Sequence, residues 1–209
     1  MKSRLVIALA VSALVASVGL WSAASRVQAA PEPSVVPITW ELTLKHNAPE
    51  RIILNVPGKD GPQTFWYLRY TVTNKTGKDL LFTPDFQLLT DTGQIITSGK
   101  TGANTAFDDI KKLYNNPLLD SPIQVLGKIL QGDDNAKDSV AIFANVDSDA
   151  RIFKFQISGL SGETQEVENP LTHEKVLLHK TLVLEYEIPG AAIGIEPHPQ
   201  FRSSTWVMR

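Results

Sequence analysis

The sequence contains no cysteine among its 209 residues. No disulfide can form, and there is no N-terminal cysteine that could carry a lipid. A chain without covalent cross-links must be stabilised by packing, and this chain is long enough to bury a substantial core. The absence of cysteine therefore favours a β-rich domain of ordinary size over a small scaffold held together by disulfides.

Clusters of positive charge are also missing. The formal net charge is −2, and removal of an N-terminal segment that carries Lys2, Arg4 and Arg26 brings it to −5. A mildly acidic domain without a basic patch does not suit nucleic acids or anionic membrane surfaces, because both attract lysine and arginine. We therefore expect neither of them as a partner.

Recognisable motifs for catalysis or cofactor binding are absent as well. The chain has no phosphate-binding glycine loop and no dinucleotide-binding fingerprint. The segment Gly159–Glu163 (GLSGE) lacks the final glycine of the G-x-S-x-G turn that exposes a nucleophilic serine. The histidines are scattered, without the spacing of metal ligands; they are His46, His173, His179 and His198. A serine–histidine–aspartate arrangement assembled from distant positions stays open, but the sequence predicts a protein that is not an enzyme and uses no cofactor or metal.

One acidic segment invites comparison with a calcium site. Three aspartates and an asparagine lie between Asp133 and Asp138. A calcium-binding EF-hand loop needs oxygen ligands at positions one, three and five and a glutamate at position twelve. Counted from Asp133, position five is Lys137 and position twelve is Ala144. Since short polar residues also favour turns, the segment is predicted to be a turn that leads into a strand, and not a metal site.

The N-terminal residues have the pattern of an export signal. A basic start precedes the apolar run Leu5–Trp21, and Val27 and Ala29 fit the small-residue pattern before a cleavage site. We predict cleavage between Ala29 and Ala30, and a location in the periplasm or cell envelope. An uncleaved membrane anchor is the alternative, because the apolar run lies at the short edge of what spans a bilayer. Cleavage would leave no membrane span.

The pattern divides the chain into three parts. Residues 1–29 are predicted to be the signal peptide, residues 30–37 a short extended linker, and residues 38–209 one domain with a helical insertion at residues 104–131.

Alternation of apolar and polar residues indicates strands over most of the domain. The strongest signal is Thr64–Asn74, which has aromatic residues on both faces and is predicted to be a central strand covered on both sides. Asp85–Thr97 is predicted to be a hairpin with Gly93 at its tip. Further strands are expected at Ile38–His46, Arg51–Val56, Asp138–Val146, Arg151–Ile157, Lys175–Ile188 and Ser204–Met208. Such spacing is typical of an antiparallel β-sandwich.

The helical insertion is predicted to contain two helices. The first places Phe107, Ile110, Leu113 and Tyr114 at helical spacing, with Asn104 or Thr105 as its N-cap. The second begins at Ser121 with Pro122 in its first turn. Its apolar stripe is formed by Ile123, Leu126, Ile129 and Leu130.

The apolar character of this second segment suggests two roles. It either closes one open end of the sandwich or offers a docking surface for a protein partner, since apolar patches of that size are uncommon on monomers. The candidate partner-binding residues are Ile123, Leu126, Ile129, Leu130 and Tyr114.

The chain resembles the immunoglobulin-like accessory domains of secreted bacterial proteins. Those domains have a strand that ends in Asn-x-Ser/Thr-Gly-Lys, then a segment F-x-L-x-D-x-x-G, then a glycine-bearing turn into an x-x-F-x-V strand. The positions that match are Asn74, Gly77, Phe86, Leu88, Asp91, Gly93, Gly132, Phe143 and Val146. It is also similar to uncharacterised exported bacterial proteins that share SPIQVLGKILQGDDNAKD and end in WVMR. The resemblance implies an immunoglobulin-like β-sandwich and export, and it carries over no catalytic residue.

Two functions are consistent with these patterns. The first is a non-catalytic exported module that binds a protein or stabilises an assembly in the periplasm or cell envelope. The alternative is a carbohydrate-binding module or hydrolase that uses aromatic rings such as Trp66, Tyr67 or Tyr114. A sugar-binding platform requires exposed rings, so the burial of these side chains distinguishes the two.

Overall fold

The computed structural model describes residues 31–169, 171–189 and 198–209. The predicted signal peptide lies outside the described residues, as does most of the loop before the final strand. The described residues form twelve strands and one α-helix. The strands are β1 (Thr43–His46), β2 (Glu50–Leu54), β3 (Gln63–Asn74), β4 (Leu80–Phe82), β5 (Asp85–Thr90), β6 (Ile95–Thr97), β7 (Gly127–Ile129), β8 (Gly132–Ala144), β9 (Ile152–Ser158), β10 (Thr164–Glu168), β11 (Lys175–Glu187) and β12 (Gln200–Met208); the helix is α1 (Phe107–Tyr114).

Strand β3 organises a four-stranded antiparallel sheet. Strands β1 and β2 pair with successive halves of one edge of β3, and β8 pairs along its other edge. Leu68 and Val72 on one face of β3, and Phe65 and Tyr67 on the other, are all buried. The prediction of a central strand covered on both sides is confirmed.

A second antiparallel sheet has six strands. Its order is β10-β11-β9-β5-β6, and β12 also pairs with β11. The predicted hairpin is confirmed as β5 and β6, and its turn closes through a hydrogen bond from the Gly93 N–H to the Thr90 carbonyl. Gly93 has a φ of 88°, which glycine adopts without steric cost.

The two sheets pack against each other through a shared aromatic core. The ring of Trp66 from β3 meets Phe153 from β9 edge to face, with centroids 4.9 Å apart. Tyr70 stacks on Phe86 from β5 at 4.7 Å. The inner faces of β3 and β9 therefore meet, and the predicted mostly β, antiparallel architecture is confirmed.

A second core covers the opposite face of the four-stranded sheet. Phe65 and Tyr67 pack there with Ile110 of α1. The predicted N-cap was wrong, because Asn104 and Thr105 lie within a 3-10 turn, Ala103–Ala106, that precedes the α-helix and has no side-chain cap. The Thr105 hydroxyl instead donates back to the Gly102 carbonyl.

The predicted second helix was also wrong. Ser121 does cap a turn, since its Oγ accepts from the Gln124 N–H and its own N–H donates to the Gln124 side chain. The turn is not continued, because Gly127 adopts a φ of 116° and the chain enters β7. Strand β7 pairs antiparallel with β4, in a register that places Leu80 opposite Ile129. The insertion thus ends as a small two-stranded sheet.

The acidic segment is part of a strand instead of the turn predicted for it. Gly132 lies opposite Asn74 and Lys137 lies opposite Val72 in the pairing of β8 with β3. Four residues of β8 are therefore accommodated where β3 has one, so Asp133 and Asp134 belong to a bulge larger than the usual single extra residue. Lys75 forms an exposed ion pair with Asp133.

The turn after β3 is held by the side chain of Asn74. Its Oδ1 accepts from the Thr76 N–H, in the manner of an Asx turn. Its Nδ2 donates to the carbonyls of Lys78 and Ile129, at 2.8 and 3.1 Å. Asn74 is fully buried, so one amide fixes both the turn and the last residue of β7.

Candidate functional site

The outward side of the β4–β7 pair is an exposed surface that contains predicted site residues. Leu81 lies opposite Lys128, and Leu126, Lys128 and Leu130 are all exposed, whereas Val125 and Ile129 are buried. Leu81, Leu126 and Leu130 are 68%, 46% and 44% exposed. Leu126 and Leu130 lie two positions before and after Lys128, so the three exposed leucines belong to one short segment of the surface. We call Leu81, Leu126, Lys128 and Leu130 the β4–β7 face.

The opposite side of the same segment is part of the protein core. Val125 and Ile129 are buried, and Ile129 packs in the core shared by the two large sheets. The carbonyl of Val125 also accepts from the Lys137 ammonium, which ties the turn to β8. The segment therefore closes one part of the core with one side and exposes leucines with the other.

Charged and polar contacts lie within and beside the β4–β7 face. Asp79 forms an ion pair with Lys128 at 2.8 Å and accepts a hydrogen bond from the Gln131 N–H. These two interactions lower the pKa of the Asp79 carboxyl below its ordinary value. The Gln131 side chain in turn accepts from the Gly77 N–H. The exposed leucines thus surround a charged side chain, Lys128, which Asp79 holds in place.

The predicted partner-binding residues do not all share this surface. Leu126 and Leu130 belong to the β4–β7 face, and Ile123, 66% exposed, lies in the turn just before it. Ile129 is fully buried and is not available to a partner. Tyr114 lies on α1, in the second core. Leu81 was missed, because only its pairing with a strand distant in sequence brings it beside Leu126.

Tyr114 belongs to a polar cluster that attaches α1 to the four-stranded sheet. Its hydroxyl donates to the Glu50 carboxylate at 2.5 Å and lies 2.9 Å from the Tyr67 hydroxyl. Arg69 pairs with the same carboxylate at 3.1 Å, and its guanidinium lies 3.5 Å from the centroid of the Tyr114 ring. Burial and the bond to Glu50 raise the pKa of Tyr114. Each group is engaged by another, which fits a structural connection.

The aromatic residues considered for sugar binding are not exposed platforms. Phe65, Trp66 and Tyr67 are all buried in the two cores. Tyr114 is partly exposed, but Arg69 covers one face of its ring. A sugar stacks on an aromatic ring whose face is free. Burial covers the rings of Phe65, Trp66 and Tyr67, and Arg69 occupies one face of the Tyr114 ring.

A second buried cluster joins the predicted linker to the six-stranded sheet. The Lys180 ammonium donates to the Ser34 carbonyl at 2.9 Å and lies 3.1 Å from Glu41 and 3.2 Å from Glu163. The Ser34 N–H donates to the other oxygen of Glu163 at 2.8 Å. Burial alone would lower the pKa of Lys180, but the two carboxylates outweigh it and raise that pKa. The cluster fixes Ser34 against the sheet.

The histidines do not assemble a catalytic site within the described residues. His46 contacts the Tyr186 hydroxyl at 2.7 Å, and burial lowers its pKa. His173 is an exposed partner of Glu168. His179 lines a cleft of about 180 Å³ with Asp85 and Ser158, but no hydrogen bond joins the three side chains in the described part of the chain.

Metal-binding clusters and membrane-spanning helices are both absent from the described residues. Within the described ranges no group of three or more acidic or histidine side chains is arranged to hold a metal ion. No helix among the described residues has the length and apolarity needed to cross a bilayer. In comparisons with known proteins, no protein-family model matches the chain, and no similar protein was found among curated sequences or solved structures.

Proposed function

We propose that this protein is a non-catalytic, exported module of the periplasm or cell envelope that binds a protein partner through the β4–β7 face. The observation that carries the proposal is the exposure of Leu81, Leu126 and Leu130 around one short strand pair, with the exposed Ile123 in the turn that precedes it. Solvent exposure of contiguous leucines is unfavourable at about 25 cal/mol per Å² of apolar surface. A partner that covers them recovers this free energy.

The architecture suits a binding module. The two large sheets share one core and fix the β4–β7 pair through Ile129, Val125 and Asn74. A surface held by a rigid scaffold loses little conformational entropy when it binds. The antiparallel sheets support the further proposal that the domain is immunoglobulin-like, and the pattern of the first 29 residues supports export.

The two clusters of ionisable residues support a non-catalytic role, because their charged groups bind one another. Lys180 is neutralised by Glu41 and Glu163, and Glu50 is held by Tyr67, Arg69 and Tyr114. Such groups contribute to structure, because each of these charges already has an opposite charge beside it within the protein.

Site-specific photo-crosslinking in the producing cells tests the binding surface. A photoreactive phenylalanine analogue placed at Leu81 or Leu126 should give a discrete adduct in the envelope fraction. The matched control is Leu113, an apolar residue of α1 that is 62% exposed and lies outside the β4–β7 face. Adducts of the same mass and yield at all three positions, or none at Leu81 and Leu126, would overturn the proposal.

A charge substitution completes the test. Leu130→Glu adds a charge to the β4–β7 face without altering a buried residue, so it should abolish the adduct at Leu126 while the urea-unfolding midpoint stays nearly unchanged. Undiminished crosslinking by this variant would also contradict the proposed surface.

A further inference from the structure

Strand β12 forms one edge of the six-stranded sheet. It pairs with β11 on one side, and the described residues contain no strand on its other side. The strand is nine residues long, whereas β6 at the opposite edge has only three. An open strand edge offers unpaired N–H and C=O groups to any extended chain that can reach it.

The hydrogen-bond pattern shows which backbone groups of β12 are free. His179 and Arg209 exchange N–H to carbonyl bonds in both directions. Because directions alternate along a strand, Val207 and Thr205 also face β11, and Ser204, Trp206 and Met208 face away from it. The Lys180 N–H confirms the alternation, since it bonds Glu163 on the opposite side of β11.

The two halves of β12 differ in how well they are protected against pairing with another strand. A bulge at Arg202 interrupts the pairing between Ser203 and Phe201, and bulges twist an edge away from other strands. From Ser203 to Met208 the pairing is regular, and this half contains no proline, glycine or lysine to discourage pairing. Six residues therefore form an edge without the usual protection against pairing; Ser204 and Thr205 are exposed, and Met208 alone among the six is buried.

We infer that this edge pairs with the same edge of a second copy of the chain. A twofold axis at Trp206 would place Ser204 opposite Met208 of the partner subunit and Trp206 opposite the partner subunit's Trp206. Every outward-facing residue of one strand then meets an outward-facing residue of the other, which completes three hydrogen-bonded residue pairs. The result is a continuous antiparallel sheet across two subunits.

The side chains are compatible with this self-pairing. In the same register Thr205 lies opposite the partner subunit's Val207, and Arg209 lies opposite the partner subunit's Ser203. No like charges meet, and the paired tryptophans form the cross-strand aromatic contact that stabilises antiparallel sheets.

Sedimentation equilibrium and native mass spectrometry of the full chain test the dimer. The wild-type chain should show a monomer–dimer equilibrium. The variants Thr205→Lys/Val207→Lys and Thr205→Glu/Val207→Glu place like charges opposite each other, and each variant alone should be monomeric. An equimolar mixture of the two should restore a dimer with the mass of the heterodimer, which also shows that both variants are folded.

The control places the same charges on another strand. Gln165→Lys/Val167→Lys changes β10, which pairs with β11 at a different part of the sheet, and it should leave the dimer intact. A wild-type chain that is monomeric at every concentration overturns the inference. A dimer that survives both charged variants, or that the β10 variant also disrupts, overturns it as well.

Discussion

The ammonium nitrogen of Lys180 lies 3.2 Å from a carboxylate oxygen of Glu163, and both side chains are almost completely buried. A buried ion pair depends on each partner to compensate the lost hydration of the other, so the removal of one charge is more damaging than the loss of an exposed pair. The pair also determines where Ser34 lies, because both residues bond its backbone.

Replacement of Lys180 by methionine should therefore destabilise the protein strongly. Glu41 and Glu163 would lose their common cation, and the bond to Ser34 would be lost. Lys175→Met is the matched control, since it removes an exposed pair with Glu166 that contributes at most about 1 kcal/mol. Urea unfolding of both variants measures the difference. Equal losses of unfolding free energy in the two variants would show that the buried Lys180 cluster stabilises the protein no more than the exposed ion pair does.

The same cluster predicts a loss of stability in acid. The Ser34 N–H and Lys180 hold the pKa of Glu163 below its ordinary value of 4.5. A carboxyl whose pKa is lowered by folding stabilises the fold above its unfolded pKa, and this contribution disappears as the pH falls through the folded pKa. Between about pH 7 and about pH 3, wild type should lose more free energy of unfolding than Glu163→Gln, which has no proton to take up there. Parallel pH profiles would contradict the prediction.

Core and surface positions of the apolar segments should respond differently to truncation. Leu68 is completely buried between the sheets, so Leu68→Ala should cost roughly 2–5 kcal/mol. Ile123 is 66% exposed, and Ile123→Ala should change the free energy of unfolding by no more than about 0.5 kcal/mol. Urea denaturation measures both. A loss of several kcal/mol at Ile123 would assign that residue to the core and weaken the docking proposal.

Two glycines with similar backbone angles should tolerate alanine unequally. Gly159 has a φ of 81°, and a Cβ there would lie 2.7 Å from the Thr83 carbonyl oxygen. Gly77 has a φ of 85° but faces open space. Gly77→Ala should lower the free energy of unfolding by about 1–2 kcal/mol, because alanine disfavours the left-handed conformation. Gly159→Ala should lower it further, because the backbone at Thr83 must also move. Thermal unfolding compares them, and equal melting temperatures would refute the steric argument.

The bulge in β8 should not respond to calcium. Asp133 is paired with Lys75, and the bulge lacks the ligand pattern of an EF-hand loop. Calcium should leave the melting temperature unchanged, both in wild type and in Asp133→Asn/Asp134→Asn. A ligand that binds the folded state raises the melting temperature, so a calcium-dependent rise in wild type that the variant loses would reveal a site there.

Some elements of this fold could be predicted from local sequence and others could not. Strand β3 and the β5–β6 hairpin carry their own signals, namely alternating faces and Gly93 in the turn. The segment after Ser121 has a correct capping signal and helical spacing, yet Gly127 ends the turn and Ile129 pairs with Leu80. That pairing joins residues almost fifty positions apart, and no local pattern encodes it.

The candidate binding surface could also be predicted only in part from local sequence. Leu126 and Leu130 were predicted from their apolar spacing, but the side of the segment that faces solvent depends on the β4–β7 register. The register buries Ile129 and adds Leu81 to the surface. Tyr114 was separated from the others because its hydroxyl bonds Glu50, a contact between residues 64 positions apart.

The inward position of Asn74 has a consequence for production of the protein in a eukaryotic host. Asn74-Lys75-Thr76 matches the acceptor pattern for N-linked glycans, but in the folded protein the amide nitrogen is buried and donates to Lys78 and Ile129. A glycan can be attached only before the turn and β7 close over that nitrogen. The fraction of secreted chains glycosylated at Asn74 would therefore measure how long this turn stays open while the new chain folds.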